Sequence, residues 1–101
     1  MMVSLDGINK AFENRVRLGI MSVLMANGSA DFVTLKSLLN LSDGNLASHA
    51  RNLEELGYVA SEKTFMNRKP NTTFHITDLG RTAFSDHISA LEKLLKIQLN
   101  G

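Results

Sequence analysis

The feature of this sequence that most limits its fold is a change in the spacing of apolar residues at Gly57. Before Gly57, apolar residues recur in steps of three and four, which is the spacing of one helix face. After Gly57, the segments Tyr58–Phe65 and Thr72–Ile76 have the period and the β-branched, aromatic composition of strands. The sequence therefore predicts helices first and a β-hairpin afterwards.

Three helices are predicted before the hairpin. The first spans Leu5–Met25 and ends at Asn27-Gly28, because these two residues tolerate left-handed backbone. A short extended link, Ala30–Phe32, leads to a brief second helix around Leu35–Leu39. The third helix begins at Ser42, a favourable N-cap residue. The residues that face inward on the third helix are Leu46, Ala50, Leu53 and Leu56.

The order of these elements predicts the fold class. Only a few residues around Leu41-Ser42 join the second helix to the third, which is helix-turn-helix spacing. Met66–Asn71 is predicted to be a hairpin loop longer than the tight two-residue type. Thr77 or Asp78 then caps a last helix that runs to about Leu99. We expect a mostly α (α+β) fold, a winged helix-turn-helix with three helices, a two-stranded wing and a long C-terminal helix.

Length and composition exclude several classes of protein. With 101 residues, 44% of them hydrophobic, the chain is expected to form one domain over residues 1–101. The absence of cysteine excludes thiolate nucleophiles, cysteine-bound metals and disulfides, and it fits a reducing, cytoplasmic location. No apolar run approaches the roughly 20 residues that span a bilayer, and we expect no signal peptide and no membrane partner. A net charge of +1 excludes a histone-like polycation but is compatible with a local basic patch.

Several segments resemble motifs of small winged-helix bacterial regulators. The first helix of these regulators resembles Arg17–Leu24, and their second helix resembles Asp31–Lys36. Their recognition helix resembles Leu41–Val59. Their wing and the start of their last helix resemble Glu62–Phe65 and Lys69–Arg81. Over about Asp6 to Leu95, the chain resembles the stand-alone winged-helix domains related to the MarR and ArsR repressors. The resemblance implies transcription control by a homodimer on a palindromic operator. The cysteine pair of metal-sensing ArsR members is absent here.

The outward face of the third helix is the first candidate DNA contact. At roughly 100° per residue, small and amide residues fall opposite the inward leucines, with Asn45 and His49 at the edge. Small residues permit close approach to a major groove, amides can match adenine, and arginine can reach guanine or phosphate. An ordinary solvated surface is the alternative interpretation. The predicted contacts are Ser42, Gly44, Asn45, Ser48, His49, Arg51 and Asn52.

The hairpin carries the second candidate DNA contact. From Lys63 to Thr77 the chain has three basic and no acidic residues, and Arg68-Lys69 lies at the predicted tip. A basic tip can enter a minor groove or clamp phosphates, although a charged turn can also be simply solvated. The predicted contacts of this wing, residues 63–73, are Lys63, Arg68, Lys69 and Asn71.

The last helix, about residues 77–99, carries two apolar stripes. One consists of Phe84, Ile88, Leu91 and Leu95, and the other of Ala83, Ala90, Leu94 and Ile97. One stripe can pack on the domain, and the other would stay exposed on a monomer. A single wide face packed within the monomer is the alternative. We expect a homodimer joined mainly through this helix. The predicted interface is Leu5, Ile8, Phe84, Ile88, Leu91 and Leu95.

The sequence predicts no enzyme, no cofactor and no metal site. Glycine loops that cradle phosphate and the H-E-x-x-H motif are absent, and no serine lies beside a plausible base. Asp86-His87 resembles half of a metal site, but a surface or interface histidine is the expected interpretation.

The predicted function is a sequence-specific regulator that binds palindromic double-stranded DNA through helix 42–56 and wing 63–73. Two alternatives remain open at this point. The first is a protein-interaction winged helix with weak or no DNA binding, which the near-neutral charge and Glu54-Glu55 favour. The second is a sensor with a small-molecule effector site at the dimer interface.

Overall fold

The computed structural model describes residues 4–100 and the side chains of residues 4–96. Four helices and three strands form the winged helix-turn-helix that the sequence predicts. In chain order the elements are α1 (Arg15–Asn27), β1 (Ser29–Asp31), α2 (Phe32–Leu39), α3 (Asp43–Glu55), β2 (Val59–Met66), β3 (Lys69–Ile76) and α4 (Asp78–Asn100).

The first helix starts later than the apolar spacing predicts. A 3₁₀ turn over Lys10–Phe12 precedes it, and α1 begins directly after Asn14. The side chain of Asn14 accepts hydrogen bonds from two backbone N–H groups of the first turn, at 2.9 and 3.1 Å. The prediction of a continuous helix from Leu5 is wrong because this N-cap starts a new helix, while Phe12 ahead of it still packs in the core.

The sheet contains one strand more than the predicted wing. β1, expected to be an extended link, pairs antiparallel with β3, which gives the strand order β1-β3-β2. The predicted long loop over Met66–Asn71 is also wrong. Only Asn67 and Arg68 form the turn, and their φ values of +51° and +66° are those of a type I′ hairpin. β3 tolerates Pro70 because β1 pairs only with Thr73–His75, which leaves the edge of β3 free at the proline.

One hydrophobic cluster joins the helices to the sheet. Leu56, predicted to face inward, is instead 44% exposed because it is the C-cap residue of α3. Gly57 follows with φ +81° and ends that helix, as the sequence predicts. The buried apolar residues are Phe12, Ile20, Met21, Leu24, Leu35, Leu46, Ala50, Leu53, Val59, Phe74, Ile76 and Phe84.

Helix α4 is attached to the domain through its first half. The hydroxyl of Thr77 accepts a hydrogen bond from the N–H of Gly80 at 2.9 Å and donates one to the carbonyl of Gly57 at 2.6 Å. Gly80 lies so close to Tyr58 that an added Cβ would collide with its carbonyl oxygen. None of the helices that the structure describes combines the length and the hydropathy required to cross a membrane.

Candidate nucleic-acid interface

Helix α3 presents a narrow polar face to solvent. The hydroxyl of Ser42 accepts a hydrogen bond from the N–H of Asn45 at 3.2 Å and caps the start of the helix. At Gly44 an added Cβ would meet no atom within 4 Å, so this turn of the helix is open to a close approach. The exposed predicted contacts are Ser42, Gly44, Asn45, Ser48, Arg51 and Asn52.

Two side-chain contacts that the residue spacing does not predict join α3 to α2 and α1. The ammonium of Lys36 lies 2.8 Å from the carboxylate of Asp43, across the turn between α2 and α3. The guanidinium of Arg17 donates hydrogen bonds to the carbonyl of Ala11 at 2.6 Å and to Nδ1 of His49 at 3.1 Å. His49 is therefore half-buried and held against α1, at the margin of the exposed face.

The wing carries its basic side chains at and near the turn. Lys63, Arg68 and Lys69 are all exposed. These three cations and the exposed face of α3 together form the candidate interface.

Asn71 is placed differently from the other predicted wing contacts, because its amide points towards α2. It is half-buried, and its side-chain nitrogen donates to Oδ2 of Asp31 at 3.4 Å. The other carboxylate oxygen of Asp31 accepts from the N–H of Thr34 at 2.7 Å and caps α2. These hydrogen bonds, chiefly those from Thr34, hold the pKa of Asp31 below its ordinary value. One carboxylate thus connects the wing to the helix-turn-helix.

The predicted dimer-interface residues, which lie on the last helix and in the N-terminal segment, separate into buried and exposed sets. Assigning Phe84 to a dimer interface is wrong, since it is 6% exposed and packs edge-to-face on Phe12 in the core of its own protomer. Ile88 and Ile8 are half-buried. The exposed members are Leu5, Leu91 and Leu95, at 69%, 43% and 58%. The side chain of Ile97 lies outside the described residues.

His87 is a core residue and not the expected surface or interface histidine. It is 3% exposed and lies against the rings of Phe12 and Phe84. Its Nδ1 accepts a hydrogen bond from the N–H of Asn9 at 2.9 Å, which fixes the N-terminal segment to α4. Within the described part of the chain, no cluster of three or more His, Asp or Glu side chains is arranged to hold a metal ion.

Comparison with known proteins identifies the family of this domain. The family model of the winged helix DNA-binding domain matches residues 16–95. An uncharacterized protein of Methanocaldococcus jannaschii is 38% identical over 87 residues, which cover 86% of this chain and 95% of that protein.

Two solved structures share the architecture. The transcriptional regulator homologue of Pyrococcus horikoshii has a TM-score of 0.80 and 37% identity, with 85% of each chain covered. MarR has a TM-score of 0.73 and 16% identity, over 86% of this chain and 63% of MarR, and it therefore shares the fold. The chain belongs to the winged helix DNA-binding domain family, a family of transcription regulators and not of enzymes, and its fold is MarR-like.

Proposed function

We propose that this chain is a sequence-specific transcription regulator that binds a palindromic operator as a homodimer. The observation that carries the proposal is that the exposed polar face of α3 and the basic wing lie within one winged helix domain. Each protomer places α3 in a major groove and its wing on the adjacent backbone or minor groove. The two half-sites then lie about one helical turn apart.

Residues of the interface divide into three roles. Asn45, Asn52 and Arg51 carry the groups that can distinguish bases, while Gly44 and Ser48 keep the helix surface low enough to enter the groove. Ser42 and the free N–H groups of the α3 N-terminus face a phosphate. Lys63, Arg68 and Lys69 contact phosphates from the wing. His49 and Asn71, which are held by other side chains, position α3 and the wing.

Selection of bound duplexes from a random pool, at two salt concentrations, tests the proposal. With a net charge of only +1, nonspecific affinity should be weak, with a dissociation constant of roughly micromolar or above. A palindrome that is still enriched at the higher salt supports a dimeric, specific regulator. Loss of all binding at modest salt, with no enriched sequence, contradicts it and favours the protein-interaction alternative that Glu54-Glu55 suggests.

Variants of the two DNA contacts separate base recognition from phosphate binding. Replacing Asn45 or Asn52 by Ala should relax the base preference at one operator position. The free energy that favours the preferred base there should fall by about 1–3 kcal/mol. The double variant Arg68→Ala/Lys69→Ala should weaken binding to all DNA sequences alike. It should also reduce the slope of log affinity against log salt concentration by about two. Lys93→Ala/Lys96→Ala, which removes the same charge from exposed positions on α4, is the matched control.

As a second element of the proposal, we place an effector site in a shallow, open cleft beside the first half of α4. It has a volume of about 410 Å³ and lies next to Ile8, a predicted dimer residue. The cleft has one basic and one acidic wall residue, so a small polar effector would meet both charges. Its lining residues are Gly7, Ile8, Asn9, Lys10, Ala83 and Asp86.

A further inference from the structure

The tip of the wing carries two large apolar side chains that the phosphate contacts leave unexplained. Phe65 is 75% exposed and Met66 is 57% exposed, and they directly precede the Asn67-Arg68 turn. None of the aromatic ring contacts among the described residues involves Phe65. Apolar groups exposed together on a folded domain commonly mark a binding site.

The register of the hairpin places Phe65 on the side of the sheet that covers the helices. Side chains alternate along a strand, so Val59, Lys63 and Phe65 lie on one face of β2 and Met66 lies on the other. At the base of this face Val59 and its partner Ile76 are buried in the core. At the tip the same face extends beyond the domain, where Phe65 and Lys63 are both exposed.

The charge around this apolar tip fits a nucleic acid. Residues 63–77 contain Lys63, Arg68 and Lys69 and no acidic side chain. DNA-bending proteins insert apolar side chains between base steps in the minor groove while basic groups hold the backbone.

We propose that Phe65 is an apolar wedge that enters the minor groove beside the major groove occupied by α3, and that it unstacks a base step and bends the duplex. This inference rests on the proposed function, because α3 must first dock. Lys63, Arg68 and Lys69 hold the phosphates on either side of the wedge. Met66 lies on the opposite face of the hairpin and is not part of the wedge.

Tryptophan reporters test the wedge directly, since the chain contains no tryptophan. Phe65→Trp and its control Met66→Trp are each titrated with the duplex selected above. Stacking on a base should quench the emission of Phe65→Trp and shield it from acrylamide, and Met66→Trp should change less. Equal changes at the two positions would overturn the proposal.

Affinity and DNA bending give an independent test. Phe65→Ala should lower affinity for the selected duplex at least about fivefold and reduce the bend measured by energy transfer between the duplex ends. Phe65→Leu should retain most of the bend, and Met66→Ala should behave like wild type. Because Phe65 is mostly exposed, the thermal unfolding of these variants should match that of wild type.

The outcomes distinguish failure of the wedge from failure of the proposed function. If Phe65→Ala binds and bends DNA like wild type while Arg68→Ala/Lys69→Ala binds weakly, the wedge is wrong and DNA recognition stands. If wild type enriches no duplex, the proposed function fails and the wedge fails with it. If Phe65→Ala instead changes the mass of the free protein, the tip contacts a second copy of the chain, and the wedge is overturned.

Discussion

Asp31 connects α2 to the wing through one carboxylate. It accepts hydrogen bonds from Thr34 at one oxygen and from Asn71 at the other, and its pKa in the folded chain is lower than the ordinary 3.8. A carboxyl with a lowered folded pKa contributes stability that is fully present above its unfolded pKa. That contribution is lost as the pH falls through the folded value.

We expect the stability of wild type to fall more steeply below about pH 4 than that of Asp31→Asn. The asparagine still caps α2 but does not titrate in this range. Urea unfolding at a series of pH values measures the difference. Asp86→Asn, at an exposed carboxylate, is the control and should keep the steep wild-type profile. Parallel profiles for wild type and Asp31→Asn would show that these hydrogen bonds do not stabilise the fold.

His87 supplies the buried acceptor for the N–H of Asn9. His87→Phe keeps an aromatic ring in the core but removes Nδ1, so the N–H loses its partner. We expect the free energy of unfolding to decrease by about 1–3 kcal/mol. His75→Phe, at a half-exposed position on β3, is the control and should have little effect. Unchanged stability of His87→Phe in urea unfolding would mean that the N–H is satisfied in another way.

At the scale of elements, Arg68 in the wing turn has an unfavourable backbone conformation and also carries a positive charge. Arg68 has φ +66°, a conformation that glycine adopts without penalty. Arg68→Gly should raise the free energy of unfolding by about 0.5–1 kcal/mol. The same change should weaken DNA binding and reduce the salt slope by about one. Thermal unfolding and salt-dependent binding measure the two effects, and a stability gain without loss of affinity would remove Arg68 from the interface.

Two glycines in helices should respond to alanine in opposite ways. At Gly80 the new methyl group would collide with the backbone of Tyr58, so stability should fall by about 2–3 kcal/mol. At Gly44 it would meet open space, and stability should rise by up to about 1 kcal/mol. Gly44→Ala should nevertheless weaken operator binding, because the methyl group holds α3 away from the base edges. Chemical unfolding and operator titration of both variants check these expectations.

Elements whose ends are set by local chemistry were predictable from the sequence. Ser42 and Gly57 bound α3 as predicted, since capping involves only residues nearby in the chain. The break at Asn14 was missed because the apolar spacing continues across it. β1 was missed because a three-residue strand is defined by its partner β3, far along the chain. The tight turn was missed because Asn-Arg lacks the glycine that usually signals type I′.

The candidate site follows the same division between local and long-range contacts. The exposed face of α3 follows from helical geometry, and its buried face was predicted at Leu46, Ala50 and Leu53. The contact of Arg17 with His49 joins residues 32 apart, and that of Asn9 with His87 joins residues 78 apart. The spacing of residues within one element does not indicate such distant pairs. The roles of Arg17 and His87 are therefore visible only in the folded structure.

At the scale of the whole molecule, α4 gives the chain an elongated shape of 59 × 25 × 20 Å. Its first half is buried on the domain around Phe84 and His87, whereas Leu91 and Leu95 in its second half are exposed. These two leucines are one helical turn apart and form a continuous apolar strip. A strip of this kind fits the helix-mediated dimer that we propose, in which two-fold symmetry matches a palindromic operator.

The proposed dimer predicts the effect of charge on this strip. Light scattering of wild type at micromolar concentrations should give twice the chain mass of 11.1 kDa, and Leu91→Glu/Leu95→Glu should give the mass of one chain. Ser85→Glu/Ser89→Glu adds the same charge at the same spacing on a different, exposed side of α4 and should remain dimeric. The monomeric variant should bind the full palindrome no better than one half-site, because the α3 contacts are intact but no longer linked. A wild-type chain that is monomeric both free and on its selected duplex would contradict the dimer and leave each domain to recognise its half-site alone.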